Sequence, residues 1–496
     1  LKICFAASEC FPFVKTGGLG DVVGSLPKEI SRMKTGGKKK VKNDVKIILP
    51  LYKGIKTLQY NIVCMEEFGD IPVAIGDKEI KFRIFTSKLP DTEIDVYFAD
   101  CPEYFHRDMP YTNDPDEDER FILFQKAVIE ILQRLKWAPD VIHCNDWQTG
   151  LIPVFLNTIY KWDKLFDNTS VLFSVHNIGY QGRFSEKSVF SAGLSYNDFY
   201  NCGPLELNGS FCFMKAGILY SEIISTVSKT YAMEIRTPEY GAGMESVLQI
   251  RKDDIYGVLN GIDTNIWNPK IDKFIPANYN AKDTSNKIIC KKELLREAEL
   301  VYDENVPVIG IISRFAGQKG FELLFPVINE LMQLPLQLIV LGSGDEKSEK
   351  FFEQLAMSFP HKVNTYIGYN NKLAHYITAG SDMFLMPSIY EPCGLNQMYS
   401  LNYGTVPIVR NTGGLADTVI DFHKDELNGN GFSFDEQSPA ALYTAILRAV
   451  EVFGDKNTWE KIMQRGMKID FSWKHSAKEY MELYKKAVEK KSNNLI

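Results

Sequence analysis

Short, nearly unbroken apolar runs alternate with amphipathic stretches along most of the chain. That pattern predicts parallel strands buried on both faces and flanked by helices, an α/β fold. In the first half the predicted strands lie at 3–7, 45–49, 95–99, 141–143, 171–175 and 223–227. In the second they lie at 307–312, 336–341, 365–367, 383–386 and 406–409. Between the two series, 268–287 is rich in Pro, Asn, Asp and Lys without periodicity, and reads as an irregular connection near a domain boundary. The tail at 475–491 is a helix candidate with Tyr480, Leu483, Tyr484, Ala487 and Val488 on one face, a stripe that needs a surface to bury against. A chain of 496 residues is too long for one ordinary core. The expected division is 1–255, 256–473 and a terminal helix at 474–496.

The candidate chemistry sits where predicted strands end. K-T-G-G-L-G-D at 15–21 joins the first strand to a helix opening near Asp21. Glycines there admit close approach of a ligand, a helix N-terminus offers unpaired N–H groups to an anion, and Lys15 adds positive charge. S-R-F-A-G-Q-K-G at 313–320 is a second anion site of the same strand–loop kind. Two such sites in separate halves suggest a ligand held between two domains. The segment 140–150 carries His143, Cys144, Asp146 and Trp147 off a strand end, open to a structural, a substrate-placing or a metal-binding reading. His176-Asn177 ends the next strand in the same way. Glu391, beside Cys393 and Gly394, follows the strand at 383–386 and either binds sugar hydroxyls or caps a helix. The Gly413-Gly414 turn more often serves close strand–helix packing than chemistry.

Two motifs are decoys. Asp114-x-Asp116 has the spacing of a metal-binding D-x-D, but it precedes a helix predicted at 120–135, where acidic residues are favoured anyway. Gly18-x-Gly20-x-x-x-Gly24 has the wrong last interval for a dinucleotide fingerprint, and no acidic residue ends the following strand. No G-x-S-x-G elbow is present.

Charge and composition narrow the partners. A net charge of −7 argues against nucleic acid, and the basic run at 38–40 reads as a solvated loop. No apolar run approaches the roughly 18 residues of a membrane span. The nine cysteines are scattered without a C-x-x-C pair, which fits reduced thiols. A strand begins by residue 2, so no targeting segment is expected in the residues shown; Leu1 in place of Met leaves one upstream open.

Taken together, these segments resemble the bacterial glycogen synthase and plant starch synthase family, the ADP-glucose-dependent α-glucan synthases. The matching motifs are K-T-G-G-L-G-D at 15–21, H-x-x-D-W at 143–147, V-H-N-x-x-Y-Q-G at 175–182 and M-K-A-G-I at 214–218. N-G-I-D at 260–263, S-R-x-x-x-Q-K-G at 313–320, E-P-C-G-L at 391–395 and T-G-G-L-A-D-T-V at 412–419 follow in family order. The resemblance implies two Rossmann-like domains facing across a cleft (the GT-B type), with the terminal helix returning to the first domain. It implies a retaining glucosyltransferase that elongates an α-1,4-glucan from ADP-glucose, without a metal or other cofactor. By the same resemblance, Arg314 and Lys319 pair with the donor diphosphate, Thr16, Gly17, Gly18 and Leu19 approach its far side, and Lys15 neutralises the leaving group. His176 sits beside the transferring glucose with its backbone carbonyl facing the anomeric carbon, Glu391 holds the glucose hydroxyls, and Asn177 is a further substrate-binding residue. Cys393, Gly394 and Leu395 shape the phosphate turn, Asp146 and Asn260 complete the pocket, and Gly368-Tyr369 flank the adenine.

Departures from the family pattern are Asn396 where Thr is frequent, Cys212 where Asn is common, and a Lys-rich loop at 35–44; they bear on acceptor preference and regulation. The rival readings are a UDP-glucose-using transferase of the same fold and an inactive glucan-binding scaffold. The resemblance places a bacterial member in the cytoplasm and a plant member in the plastid stroma. Oligomeric state is open.

Overall fold

The computed structural model describes residues 1–35 and 41–494. The basic run at 38–40 therefore lies outside the described residues. The chain divides into two compact units, one of Leu1–Val227, Ala232–Val258 and Trp473–Ile496, the other of Ser228–Tyr231 and Leu259–Ser472.

The first unit is built on a twisted sheet. Its strands are β1 (Lys2–Ala6), β2 (Asp44–Pro50), β3 (Val63–Cys64), β4 (Ile71–Ile75) and β5 (Lys78–Lys88), then β6 (Asp95–Asp100), β7 (Val141–Asn145), β8 (Ser170–Val175), β9 (Ile223–Thr226) and β10 (Ile255–Gly257). The order is β10-β9-β8-β7-β1-β2-β6-β5-β3, with β4 hydrogen-bonded to β5. From β10 to β6 all pairings are parallel, as continuous apolar runs require, and β5 turns antiparallel to β6. Helix α1 (Gly18–Arg32) follows β1, and α2 (Glu117–Arg134) starts three residues earlier than its sequence pattern predicts.

The terminal helix, Trp473–Asn494, belongs to this unit and packs on α1 and the central strands. Its stripe is the expected one: Tyr480, Leu483, Tyr484 and Ala487 are buried. The Tyr484 hydroxyl lies 2.8 Å from His143 Nδ1, and His143 Nε2 lies 2.6 Å from Ser174 Oγ. His143 is thus a core group that ties the terminal helix to β7 and β8 and takes no place at the strand ends. At the far end Lys490 pairs with Asp254 at 2.5 Å.

The second unit is a six-stranded, fully parallel sheet. Its strands are β11 (Val308–Phe315), β12 (Gln337–Gly344), β13 (Val363–Ile367), β14 (Met383–Met386), β15 (Val406–Arg410) and β16 (Phe432–Phe434), in the order β13-β12-β11-β14-β15-β16. Helices α3 (Asn371–Gly380), α4 (Asn396–Asn402) and α5 (Gly413–Thr418) follow β13, β14 and β15. Aliphatic and aromatic side chains close a core on one sheet face, among them Ile311, Val340, Phe352 and Ile446. A smaller cluster around Leu294, Ile377 and Leu415 closes the other. Among the described residues, no helix is long and apolar enough to cross a membrane.

The docking of the terminal helix is testable. Tyr484→Ala removes a fully buried ring and the partner of His143, so unfolding in urea should show a loss of about 3–5 kcal/mol. A loss below about 1 kcal/mol would mean that the helix is not held there.

Candidate active site

In both units the sequence-predicted residues gather at the carboxyl ends of the parallel strands, where an open α/β sheet presents its ligand crevice. In the first unit the loop after β1 is braced from beneath by Glu9, a buried carboxylate. Glu9 accepts from Thr16 N at 2.6 Å, Gly17 N at 3.1 Å, Thr16 Oγ1 at 2.5 Å and the Tyr111 hydroxyl at 2.7 Å. Glu9 thus takes up the N–H groups of Thr16 and Gly17, just ahead of the helix that starts at Gly18. What remains open is the space above the loop. A side chain at Gly17 or Gly18 would meet no atom within 4 Å, and the glycines leave that face bare. Leu19 is buried and anchors the first turn of α1, while Lys15 projects and pairs with Asp21 at 2.7 Å.

Asp146 and His176 come from the ends of the neighbouring strands β7 and β8, which pair directly with each other. Asp146 adopts φ +57° and ψ −177°, a conformation that costs a non-glycine residue about 1–3 kcal/mol. The strain aims its carboxylate at the next strand end, where Oδ1 accepts from His176 N at 2.7 Å. Burial pushes the Asp146 carboxyl up to about 7, against the opposing pull of the His176 and Asn177 backbone N–H groups. Burial also holds the His176 imidazole down at about 4, so the ring is neutral near pH 7, with Nε2 2.9 Å from Asn145 Oδ1. Asn177 closes its own turn by accepting from Gly179 N at 2.9 Å.

In the second unit, Lys319 Nζ lies 2.6 Å from Glu391 Oε2, and Ser388 Oγ donates to the same oxygen at 3.0 Å. Glu391 is buried, whereas Lys319 keeps a fifth of its side chain exposed (21 %). Arg314, at the end of β11, is exposed. The lysine loop is seated against the glutamate loop: Ile389 N donates to Gln318 O at 2.8 Å and Gln318 Nε2 to Tyr390 O at 3.1 Å. Gly394 takes φ +70°, which turns the chain into Leu395 and α4. Asn396 ties that helix to β11, Nδ2 to Ile312 O at 2.7 Å. Directly behind, Gly414 N donates to Glu391 O at 3.0 Å, and a Cβ at Gly413 would lie 1.9 Å from that oxygen. The Gly413-Gly414 turn serves close packing.

Cys393 is buried and receives a backbone hydrogen bond from Asn260; burial first, against that bond, pushes its thiol up to about 12 and leaves it inert. Gly368 and Tyr369 follow β13. Gly368 N donates to Gly342 O at 2.8 Å, and the Tyr369 ring is 87 % exposed.

The acidic decoy is occupied: Arg107 reaches Asp114 and Asp116 at 2.5 Å each. Among the described residues no group of His, Cys, Asp and Glu is arranged to hold a metal ion. Sequence reasoning missed Glu9, Asn145 and Ser388. No local signal marks Glu9, which stands three residues past β1 and seven before Thr16.

Comparisons with known proteins bear on this geometry. A family model described as starch synthase catalytic domain matches residues 2–250, and one described as glycosyl transferases group 1 matches 292–465. The chain is 44 % identical to a glycogen synthase of Desulforudis audaxviator, over 99 % of this chain and 97 % of the relative. It is 42 % identical to a glycogen synthase of Thermosipho africanus, over 99 % and 100 %. Among solved structures it is similar to the catalytic domain of starch synthase IV from Arabidopsis thaliana bound to ADP and acarbose, with TM-score 0.88, 34 % identity and coverage of 98 % and 99 %. A sucrose-phosphate synthase from Thermosynechococcus elongatus, at TM-score 0.57 and 15 % identity over 98 % of each chain, shares the fold.

Asp146 generates a pH test. Its carboxyl binds a proton more tightly folded (about 7) than at the ordinary value of 3.8, so this group's contribution is complete below about pH 4 and is lost as pH rises to about 7. Urea unfolding across that window should show the wild type losing stability relative to Asp146→Asn as pH rises, with a constant difference above it. A constant difference throughout would contradict the placement of Asp146.

Proposed function

Because the chain belongs to the family of glycogen and starch synthases, we propose that it transfers glucose from ADP-glucose to the end of an α-1,4-glucan through the residues placed above. It is a glucosyltransferase of the GT-B fold class that elongates a glucan. The finer reading is the donor and the roles of the residues. The observation that carries it is the Lys319–Glu391 pair beside the Gly394 turn, a cation and a carboxylate held within 2.6 Å at one strand edge. A nucleoside diphosphate sugar needs both: positive charge for the phosphates and an acceptor for sugar hydroxyls.

In this reading Glu391 receives glucose hydroxyls, and the diphosphate takes Lys319 and Arg314. The turn of Cys393, Gly394 and Leu395 supports the phosphate, Asn260 braces that turn, and Gly368-Tyr369 face the adenine. From the first unit, Lys15 and the bare Gly17–Gly18 face meet the donor, and His176 and Asn177, steadied by Asp146, meet the glucose. His176 is neutral near pH 7 and offers its backbone carbonyl, rather than a proton, to the anomeric carbon. The C1–O bond to ADP breaks, the acceptor hydroxyl oxygen bonds to C1 on the same face, and the departing phosphate takes the acceptor proton. Retention follows without an enzyme nucleophile. Charge builds on the leaving diphosphate, so fixed cations are the groups that lower the barrier.

No divalent metal is required in this scheme. The acidic pair that would offer itself is engaged by Arg107. The bacterial glycogen synthases among the relatives favour a cytoplasmic placement.

Glucose transfer to glycogen tests the reading. kcat/KM should be higher with ADP-glucose than with UDP-glucose; equal or better use of UDP-glucose would select the rival donor, and no transfer from either would select the scaffold reading. Arg314→Ala and Lys319→Ala should each lower kcat by roughly 10²–10³ with folding intact, and Arg314→Lys should recover little. Near-normal kcat in both alanine variants, or activity abolished by EDTA and restored by Mn²⁺, would overturn the mechanism.

A further inference from the structure

The connection between the units' sheets carries no regular element from Leu259 to Asn286; three of its side chains, and Lys287 at the first position of the helix that follows, each touch both α3 and the α4 end. The Trp267 ring is sandwiched between His375 of α3 (centroids 4.0 Å apart, planes 3° apart) and Tyr399 of α4 (4.1 Å, 12°). Asp272 Oδ2 lies 2.7 Å from His375 Nδ1 and accepts from the Tyr403 hydroxyl at 2.6 Å. The Tyr279 hydroxyl donates to Tyr403 O at 2.8 Å and approaches Ala379 O at 3.3 Å. Lys287 Nζ donates to Ala379 O at 2.7 Å, Tyr403 O at 3.2 Å and Thr405 Oγ1 at 2.7 Å.

Ala379 and Tyr403 are where α3 and α4 end, and helix ends gather unpaired carbonyls that favour a cation. A buried lysine and a buried tyrosine there are costly unless their polar atoms are satisfied, and these are satisfied only when the two helix ends lie side by side. The opposite ends of the same helices carry different parts of the proposed donor site. The start of α3 follows Gly368-Tyr369, and the start of α4 follows Cys393-Gly394-Leu395.

We infer that the segment from Trp267 to Lys287 is a clasp that fixes the spacing of α3 and α4, so that the adenine loop and the glucose–phosphate loop lie at the separation one nucleotide sugar spans. The inference rests on the donor reading above. Trp267, Asp272, Tyr279 and Lys287 are positioning residues: they sit at the far ends of the helices and act through them. A rigid body with two ends transmits a small change at one end to the other, and misplacement of about 1 Å in such a site costs up to roughly 10²-fold in rate.

The test separates spacing from general stability. Calorimetric Kd values are measured on the full chain for ADP-glucose, which reaches both loops, for adenosine, which reaches only the first, and for inorganic pyrophosphate, which reaches only the second. In Asp272→Asn and Trp267→Leu, ADP-glucose should weaken by about tenfold while adenosine and pyrophosphate stay within about twofold. Changes of the same factor in all three ligands, or in none, would overturn the clasp.

If the variants do not fold, amide exchange in the wild type decides. ADP-glucose should slow exchange at the ends of both helices, near Ala379 and Tyr403, and adenosine alone should not. Equal effects of the two ligands would overturn the inference. A wild type that binds adenosine and pyrophosphate but gains nothing from joining them in ADP-glucose would sink the donor reading itself, a result separate from any effect of the variants.

Discussion

The second unit is organised around one buried carboxylate. Glu391 can sit in the interior only because Lys319 and Ser388 meet the same oxygen, and those partners are in place only because their loops lock together. The lock is steric as well as polar. Gly320 lies where a Cβ would come within 2.1 Å of Pro387 O, and Gly413 and Gly414 press on the Glu391–Cys393 backbone from behind. A side chain at any of them would push the glutamate loop out and strand its charge.

The first unit solves a related problem differently. Its glycine loop has the look of an anion nest, yet Glu9 fills the nest from inside. A carboxylate there fixes the loop before any ligand arrives, and repels a phosphate that comes too deep. The positive charge on offer is the side chain of Lys15, parked on Asp21. Beside it, the Asp146 carboxylate holds the His176 backbone N–H and the neutral His176 ring meets the Asn145 side chain, so both groups hold neighbours in place.

Much of the fold was legible because parallel strands buried on both faces are continuous apolar runs, and Met383–Met386 needed no other signal. The hairpin of β4 and β5 was missed although Gly76-Asp77 joins them, and Ile80, Phe82 and Ile84 alternate inward. Such alternation leaves no continuous apolar run in the sequence. The strand-end motifs were legible because the loops at the carboxyl ends of parallel strands follow those strands directly in sequence. Glu9 was not found, since its role depends on the chain folding back across seven residues to Thr16. The segment from Asn268 read as irregular and is irregular up to Asn286, but Asp272 within it, and Trp267 and Lys287 at its two ends, find partners about a hundred or more residues away. No local periodicity encodes such contacts.

The central claim is that Lys319 and Glu391 act as one unit on the donor. The direct test is a double-mutant cycle in kcat for glucose transfer from ADP-glucose to glycogen, using Lys319→Met, Glu391→Gln and the double variant. If the pair works as a unit, the double variant loses no more than the worse single. Losses that multiply would mean that the two residues act independently, and would contradict the account.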